Sequence, residues 1–450
     1  MNIAAAIGRY AELRRNPAIL GMVGVLALRI AISALNFALI WLAARSLGEA
    51  RFGVYSIMFS AAGLFCIVAT SGQQILVMRS WNEYSSAARP GLLKGALIFS
   101  SLMCLAGSLM VAIPFYGWLA TTHTAPLAIA GTLYLVSLSI VMTTSHLVRA
   151  AIGVGIGDGI GNLLLVVPPT VYLLFDFARR DGVEIERVFA LMAAGGSAAI
   201  VIHVVLTWRR ILALFPDFAT CRAEWDFPRW RSRSFTLWIS NSLEASNQYL
   251  DVLIVGALTG PAIAGAYFVT TRLANGFAMA TDAIHMFSTR HIPELYYRRQ
   301  FAPLDALLDS VAGATLAVLA GGLLVILSAG PWLLSAFSAA YAPYYGALAV
   351  LSFGTAVAAA AGPSGSILML TGHEGRYLAI IGASVVIRAA GFLLLIPAFG
   401  VMGAVAATTL SLVCMSLMLR RASRTLAGID GSVFRLIASP IKVRGPAATD

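Results

Sequence analysis

Long apolar runs, separated by short clusters of charged and turn-forming residues, fill the chain from about residue 19 to residue 419. Each run approaches the roughly 20 apolar residues that a helix needs to cross a bilayer. The runs lack the strict alternation of barrel strands, and within lipid only helices and closed barrels satisfy the backbone. The pattern therefore predicts an all-α integral membrane protein with about twelve transmembrane helices. The predicted spans are 19–44, 53–78, 92–113, 126–148, 154–175, 187–207, 234–258, 264–289, 306–328, 344–370, 377–396 and 403–419.

Composition agrees with this prediction and excludes other classes. Of the 450 residues 59% are hydrophobic and only 11% are charged, whereas soluble domains carry roughly 25% charged residues. Twelve spans leave no room for a separate soluble catalytic domain. The four cysteines are far apart and show no metal-binding spacing, so we expect no metal and no cofactor.

The positive charges indicate topology rather than a nucleic-acid partner. The net charge is +11, but most of the 31 Lys and Arg residues lie in alternate connections between the apolar runs. Cytoplasmic loops of membrane proteins are enriched in these residues. We therefore predict a multi-pass membrane protein with both termini in the cytoplasm.

The most hydrophilic connection divides the chain into two halves of six spans. The predicted segments are an N-terminal six-helix bundle 1–207, a basic cytoplasmic linker 208–233, a C-terminal six-helix bundle 234–419 and a basic cytoplasmic tail 420–450. A short motif repeats just after the first and the seventh span, as Gly48, Gly53, Tyr55 and as Gly260, Gly265, Tyr267. Halves that enter the membrane with one orientation are typical of transporters with a substrate path between the halves.

Polar side chains follow helical spacing on three spans. The seventh span carries Asn241, Glu244, Gln248 and Asp251, the eighth carries Arg272, Asn275, Met279 and Asp282, and the first carries Arg29, Ser33 and Asn36. A charge at the centre of a membrane helix costs on the order of 2.5–3.5 kcal/mol unless it is paired or hydrated. The stripes therefore predict an aqueous cavity. The alternative is that Arg272 pairs with Asp251 or Glu244 to join two helices, and that Arg29 and Asp251 reach an interface.

Two stretches resemble a known family. Residues 36–55, NFALIWLAARSLGEARFGVY, and 248–267, QYLDVLIVGALTGPAIAGAY, are similar to the paired LG-x-x-x-x-G-x-Y turns of polysaccharide flippases. Residues 370–411, with the loop TGHE and the sequence IPAFGVMGA, are similar to the last three helices of the same group. This group belongs to the multidrug/oligosaccharidyl-lipid/polysaccharide exporter superfamily, which includes the MATE transporters.

The resemblance implies two six-helix bundles that form a V around a central cavity, lined by the first, second, seventh and eighth spans. The implied activity moves a polyprenyl-pyrophosphate-linked oligosaccharide, such as an O-antigen or exopolysaccharide repeat unit, from the inner to the outer leaflet by alternating access. Together with the charge distribution, the resemblance also implies a location in the bacterial inner membrane. We expect a monomer whose partners are this lipid-linked oligosaccharide, membrane lipids and either H⁺ or Na⁺.

Roles for the polar residues follow from their chemistry in such a cavity. Guanidinium groups bind phosphate oxygens bidentately, so Arg29 and Arg272 are candidates for the pyrophosphate. The amides are candidates for sugar hydroxyls, namely Asn36, Asn241, Asn247, Gln248 and Asn275. The carboxylates Glu244, Asp251 and Asp282 are candidates for coupling to a cation. Arg388 stands alone in the eleventh span and has no obvious partner, which favours either a structural ion pair between helices or a side chain that extends to the membrane interface.

Two other functions remain open from the sequence. A cation-coupled multidrug exporter would depend on the carboxylates and not on the arginines. A membrane-embedded polysaccharide-processing enzyme would need a large outer loop or a cluster of His and acidic residues at one face. The longest predicted outer connections, 114–125 and 176–186, contain no such cluster, so we expect a protein that is not an enzyme.

Overall fold

The computed structural model describes residues 17–179 and 182–436, and in this part of the chain every regular element is helical. The helices are α1 Pro17–Leu47, α2 Glu49–Ala69, α3 Gln73–Ser86, α4 Pro90–Thr122, α5 Ala125–Ala151, α6 Val154–Arg179, α7 Ile185–Leu214, α8 Phe227–Thr259, α9 Pro261–Ala274, α10 Gly276–Tyr297, α11 Phe301–Phe337, α12 Tyr345–Ala360, α13 Ser364–Leu370 and α14 Glu374–Ala422.

Nine helical segments of the described chain are long and apolar enough to cross a membrane. Helices α8, α9 and α10, which cover the predicted seventh and eighth spans, are not among these nine described segments, because α9 is short and polar residues interrupt α8 and α10. The predicted all-α membrane fold is confirmed, and each predicted span coincides with a helix or a pair of helices.

Three predicted spans are interrupted in the structure, because a local break divides each of them into two helices. The second span is interrupted at Gly72 (φ 76°), the eighth at Asn275 and the tenth at Gly362 (φ 66°). The eleventh and twelfth predicted spans lie on either side of a kink in α14 at Gly400, where φ is 55° and ψ is −132°, in agreement with their prediction as two separate spans. Apolar periodicity predicts the spans but is insensitive to a single residue with non-helical backbone angles.

The chain falls into two compact units. The first comprises the described residues up to Leu47 together with Ala61–Ser242. The second comprises Gly48–Ser60 and the described residues from Leu243 onward, so the beginning of α2 belongs to the second unit. The four-segment division at residues 207, 233 and 419 stays a prediction.

The basic connection predicted at 208–233 is a packed part of the first unit. Its Trp230 is fully buried and donates a hydrogen bond from Nε1 to the Tyr84 hydroxyl at 2.9 Å. The Lys94 ammonium donates to the carbonyl oxygens of Ala219 and Cys221 at 2.9 and 2.8 Å. Aromatic side chains in an otherwise hydrophilic sequence therefore give this connection a core of its own.

The repeated glycine motif has a structural role in the second unit. Gly48 and Gly260 have φ values of 72° and 90°, which glycine adopts without strain. Each of these glycines lies between the end of one helix and the start of the next. The backbones of Gly53 and Gly265 approach each other so closely that a Cβ on Gly265 would lie 3.1 Å from the Cα of Gly53. The motif therefore joins the start of α2 to α9.

Candidate functional site

A polar cavity of about 360 Å³ lies within the second unit, in a bundle whose helices are otherwise mostly apolar. It is lined by side chains of α8, α9, α10, α12 and α14, with Ser60 from α2. Its polar lining residues are Ser60, Asn247, Gln248, Asp251, Thr271, Arg272, Asn275, Asp282, Thr355, Arg388 and Thr408. The cavity thus combines two arginines and two aspartates with several uncharged hydrogen-bonding groups.

Helix α8 contributes Asn247, Gln248 and Asp251, which share one face because the helix repeats every 3.6 residues. Glu244, one turn earlier, does not line the cavity. It is exposed, and its Oε1 accepts a hydrogen bond from the Tyr377 hydroxyl at 3.0 Å. The polar stripe predicted on the seventh span therefore contributes only its later turns to the cavity.

Asn275 is the break between α9 and α10, and it lies on the cavity wall. The hydroxyl of Thr355 donates to its Oδ1 at 3.4 Å. Arg272 precedes the break and Asp282 follows it, and both line the cavity. The two short helices therefore bring a cation, an amide and a carboxylate to one wall.

Arg272 is held by an aromatic ring. Its guanidinium carbon lies 4.9 Å from the centroid of the Phe268 ring, a distance at which cations are attracted to the ring face. Among the described residues, no carboxylate oxygen lies within the 4.0 Å of an ion pair with Arg272. The guanidinium is half-buried and faces the cavity with its hydrogen-bonding capacity free for a ligand.

Asp251 and Arg388, in contrast to Arg272, form a buried ion pair. The Arg388 Nη1 lies 3.2 Å from Asp251 Oδ1 and donates to the backbone oxygen of Asn247 at 2.6 Å. Asp251 Oδ2 also accepts hydrogen bonds from the hydroxyls of Thr408 at 3.2 Å and Tyr267 at 3.3 Å. The carboxylate is thus neutralised and almost saturated with donors.

This pair answers the question that the sequence left open. Arg388 does have a partner, and Asp251 pairs with Arg388 on α14 rather than with Arg272 on α9. Arg388 and Thr408 were missed as cavity residues. A lone arginine in an apolar span was the available signal for Arg388, but Asp251 is 137 residues away in sequence and nothing local links them.

Three predicted site residues belong to the first unit, and they do not line the cavity. Arg29 lies 3.8 Å from Asp158, and Asp158 is more tightly held by Arg149 at 2.6 Å. Asn36 donates to the backbone oxygen of its own helix at Ile32. The side-chain nitrogen of Asn241 is buried and has no hydrogen-bond partner among the described residues.

Of the ten predicted site residues, the structure brings together Asn247, Gln248, Asp251, Arg272, Asn275 and Asp282 in one cavity. The other four, Arg29, Asn36, Asn241 and Glu244, lie elsewhere. Within the described residues no group of three or more His, Cys, Asp and Glu side chains is arranged to hold a metal ion.

Comparison with solved structures identifies the fold. An inward-facing multidrug resistance MATE family transporter of the MOP superfamily has a TM-score of 0.65 at 11% identity, covering 89% of this chain and 97% of its own. The lipid II flippase MurJ, in an inward closed conformation, has a TM-score of 0.60 at 12% identity, covering 90% and 88%. A MOP superfamily transporter from Pyrococcus furiosus has a TM-score of 0.58 at 11% identity, covering 90% and 94%.

Sequence comparison is silent: no protein-family model and no curated protein matches the chain. The structural likeness nevertheless defines the class of fold. This chain is a multi-pass membrane protein with the fold of MOP superfamily transporters.

Proposed function

We propose that the protein is a flippase that moves a polyprenyl-pyrophosphate-linked oligosaccharide from the inner to the outer leaflet by alternating access. The observation that carries the proposal is the cavity of the second unit, where Arg272 has no carboxylate partner among the described residues. The fold it shares with a lipid II flippase and with MATE transporters supports a transport function.

The cavity chemistry suits such a substrate. Arg272 offers a planar fork of donors that matches phosphate oxygens, and its guanidinium carbon lies over the ring of Phe268. The amides of Asn247, Gln248 and Asn275 provide donors and acceptors for sugar hydroxyls. We assign recognition of the pyrophosphate to Arg272 and recognition of the oligosaccharide to these amides.

The two carboxylates of the cavity differ in whether a positive side chain already neutralises them, and this decides which one can bind a coupling cation. Asp251 is neutralised by Arg388, whereas Asp282 lines the cavity and has no Lys, Arg or His nitrogen within 4.0 Å among the described side chains. Asp282 is therefore the carboxylate that we assign to coupling with H⁺ or Na⁺. We further propose that the protein acts as a monomer in the bacterial inner membrane with both termini cytoplasmic.

The free carboxylate of Asp282 also favours a second candidate, a cation-coupled exporter of amphipathic drugs. Both functions use Asp282 for coupling, and they differ in whether Arg272 is required. A flippase for a pyrophosphate-linked lipid requires Arg272, whereas a drug exporter requires Asp282 and tolerates loss of Arg272.

The experiment uses a strain that lacks the gene, complemented with wild type, Arg272→Gln, Asp282→Asn or Arg298→Gln. Arg298 is a matched control, because its surface ion pair with Glu294 lies outside the cavity. Polyprenyl-linked lipids are measured by mass spectrometry, and expression of each variant is checked in membranes. Hydrogen bonds to charged groups contribute about 1.5–3 kcal/mol, so we expect Arg272→Gln to slow clearance of the lipid-linked glycan by about 10- to 150-fold.

A deletion strain that accumulates no glycolipid, or Arg272→Gln that clears it like wild type, would remove the flippase assignment. Loss of drug resistance in the Asp282→Asn strain alone would then support the exporter.

A further inference from the structure

A second pocket, of about 470 Å³, lies at the end of α14, away from the residues that line the polar cavity. The segment after α14 forms this pocket together with the last turns of the helix. Its lining residues are Leu417, Arg420, Arg421, Arg424, Thr425, Gly428 and Asp430. None of the residues considered for transport contributes to it.

The pocket is built by an ordered turn. A π-helical turn, Ser423–Ala427, follows α14, and Gly428 then reverses the chain with φ 68°. The Ser423 hydroxyl donates to the backbone oxygen of Ile429 at 2.7 Å across this reversal. Ala427 and Ile429 are buried in a cluster with residues of α10, α11 and α13.

The segment is also held from its far end. Arg435 is buried and forms ion pairs with Asp305 at 3.0 Å and Asp309 at 2.7 Å, both on α11. It also donates to the backbone oxygen of Asp430 at 2.9 Å. The first part of the predicted basic tail is therefore a fixed wall of the pocket.

The pocket has more positive than negative charge. Arg420 Nη2 lies 3.2 Å and Arg424 Nε 3.6 Å from the same oxygen of Asp430. For Arg421, which is exposed, no carboxylate oxygen lies within ion-pair distance in the described part of the chain. The pocket thus contains three arginines and one carboxylate, which is shared by Arg420 and Arg424, so two positive charges remain for an anionic ligand.

Asp430 stays ionised at neutral pH. Burial alone would raise the pKa of its carboxyl, but the hydrogen bonds from Ser432 and Arg420 and the charge of Arg420 outweigh burial and hold the pKa below its ordinary value. The charge of the pocket is therefore constant around neutrality, and Asp430 competes with any anion for Arg420 and Arg424.

Apolar side chains beside the arginines indicate which kind of anion fits the pocket best. Leu417 in the pocket is 52% exposed, and Leu426, which follows the lining residue Thr425 in sequence, is 45% exposed. Exposed leucines next to arginines at the end of a membrane helix match the boundary between acyl chains and headgroups. Inorganic phosphate would use the arginines but would gain nothing from the leucines.

We propose that this pocket binds the phosphate of an anionic phospholipid headgroup, with the acyl chains lying toward Leu417. Arg421 and Arg424 supply the main contacts, and Arg420, held 4.7 Å from the centroid of the Phe434 ring, forms the back of the site. The site is independent of the proposed transport function.

Native mass spectrometry of the full-length protein in neutral detergent tests the proposal. The probes are dioleoylphosphatidylglycerol, dioleoylphosphatidylcholine, glycerophosphoglycerol and inorganic phosphate. We expect one tightly bound phosphatidylglycerol and much weaker binding of the other three. Equal binding of both phospholipids would overturn the role of charge, and equally tight binding of inorganic phosphate or glycerophosphoglycerol would overturn the role of the acyl chains.

Variants localise the site. An arginine near an anionic surface contributes roughly fivefold in affinity, so Arg421→Gln with Arg424→Gln is expected to weaken phosphatidylglycerol binding by about 25-fold. The control double variant, Arg79→Gln with Arg209→Gln, removes the same charge from exposed positions of the first unit and should bind like wild type. If both double variants lose the same affinity for phosphatidylglycerol, the lipid is attracted by the overall positive charge of the protein, and the proposed site is wrong.

Asp430→Asn provides an independent test that does not weaken the pocket. The Asn oxygen keeps an acceptor for Ser432, while Arg420 and Arg424 lose their competing carboxylate. We expect phosphatidylglycerol to bind several-fold more tightly. Unchanged or weaker binding in a variant that melts within a few degrees of wild type would show that the arginines serve only Asp430.

Discussion

Removing one charge of the Asp251–Arg388 pair is expected to destabilise the second unit by about 3–5 kcal/mol, because the remaining charge stays buried without its counter-ion. Both side chains are less than one-tenth exposed. The informative perturbations are Asp251→Asn, Arg388→Met and the double variant. These changes remove a charge while keeping a side chain of similar size.

The hydrogen bonds predict which single change costs more. After Asp251→Asn, the Arg388 guanidinium keeps its full charge, and its strongest remaining acceptor is the backbone oxygen of Asn247. After Arg388→Met, the Asp251 carboxylate keeps two donors, the hydroxyls of Thr408 and Tyr267. We therefore expect a loss of about 5 kcal/mol for Asp251→Asn and about 3 kcal/mol for Arg388→Met.

The double variant should be more stable than either single variant. Replacing a buried ion pair by neutral side chains of similar volume is often close to neutral, so we expect the double variant to unfold within about 2 kcal/mol of wild type. The assay is reversible unfolding in mixed micelles with increasing SDS, followed by helical circular dichroism at constant protein concentration.

Additive losses would refute this reasoning. If the double variant loses as much stability as the two single variants together, the residues do not interact energetically. Single losses below about 1 kcal/mol would indicate that water from the cavity already solvates the pair and that its burial has little effect.

Two further predictions concern local contacts. The hydrogen bond from Arg233 holds the pKa of Glu83 below its ordinary 4.5, with smaller contributions from the charges of nearby arginines, so its stabilisation is present above that value and is lost as pH falls through the lowered pKa. Because Glu83 is about a third exposed, Glu83→Gln should cost less than about 1 kcal/mol at pH 7. The cost should decrease as the pH falls below 4.5, and a cost that does not change with pH would contradict this. Gly53→Ala should cost about 1–3 kcal/mol because its Cβ would overlap the Pro261 carbonyl. Gly117→Ala, which meets no atom within 4 Å, should be neutral or stabilising in the same unfolding assay, and equal effects would argue against the close approach.

The sequence was sufficient for the helices and for part of the cavity. Long apolar runs that lack the strict alternation of barrel strands must become helices in lipid, since only helices and closed barrels satisfy the hydrogen bonds of the backbone there. Helical periodicity then placed Gln248 and Asp251 on one face, as it placed Arg272 and Asp282 on another. The repeated motif also marked real turns, because Gly48 and Gly260 both have positive φ.

Only the tertiary structure decided which charges pair and which stay free. Asp251 and Arg388 are far apart in sequence, and both Arg388 and Arg272 were chemically suitable partners for Asp251. The packed turn after α14 could not be predicted from the sequence either, because its stability comes from the contacts of Arg435 with α11 rather than from local propensity. Periodicity assigns a residue to a face of its own helix, whereas its electrostatic partner is determined by the helix that packs against that face.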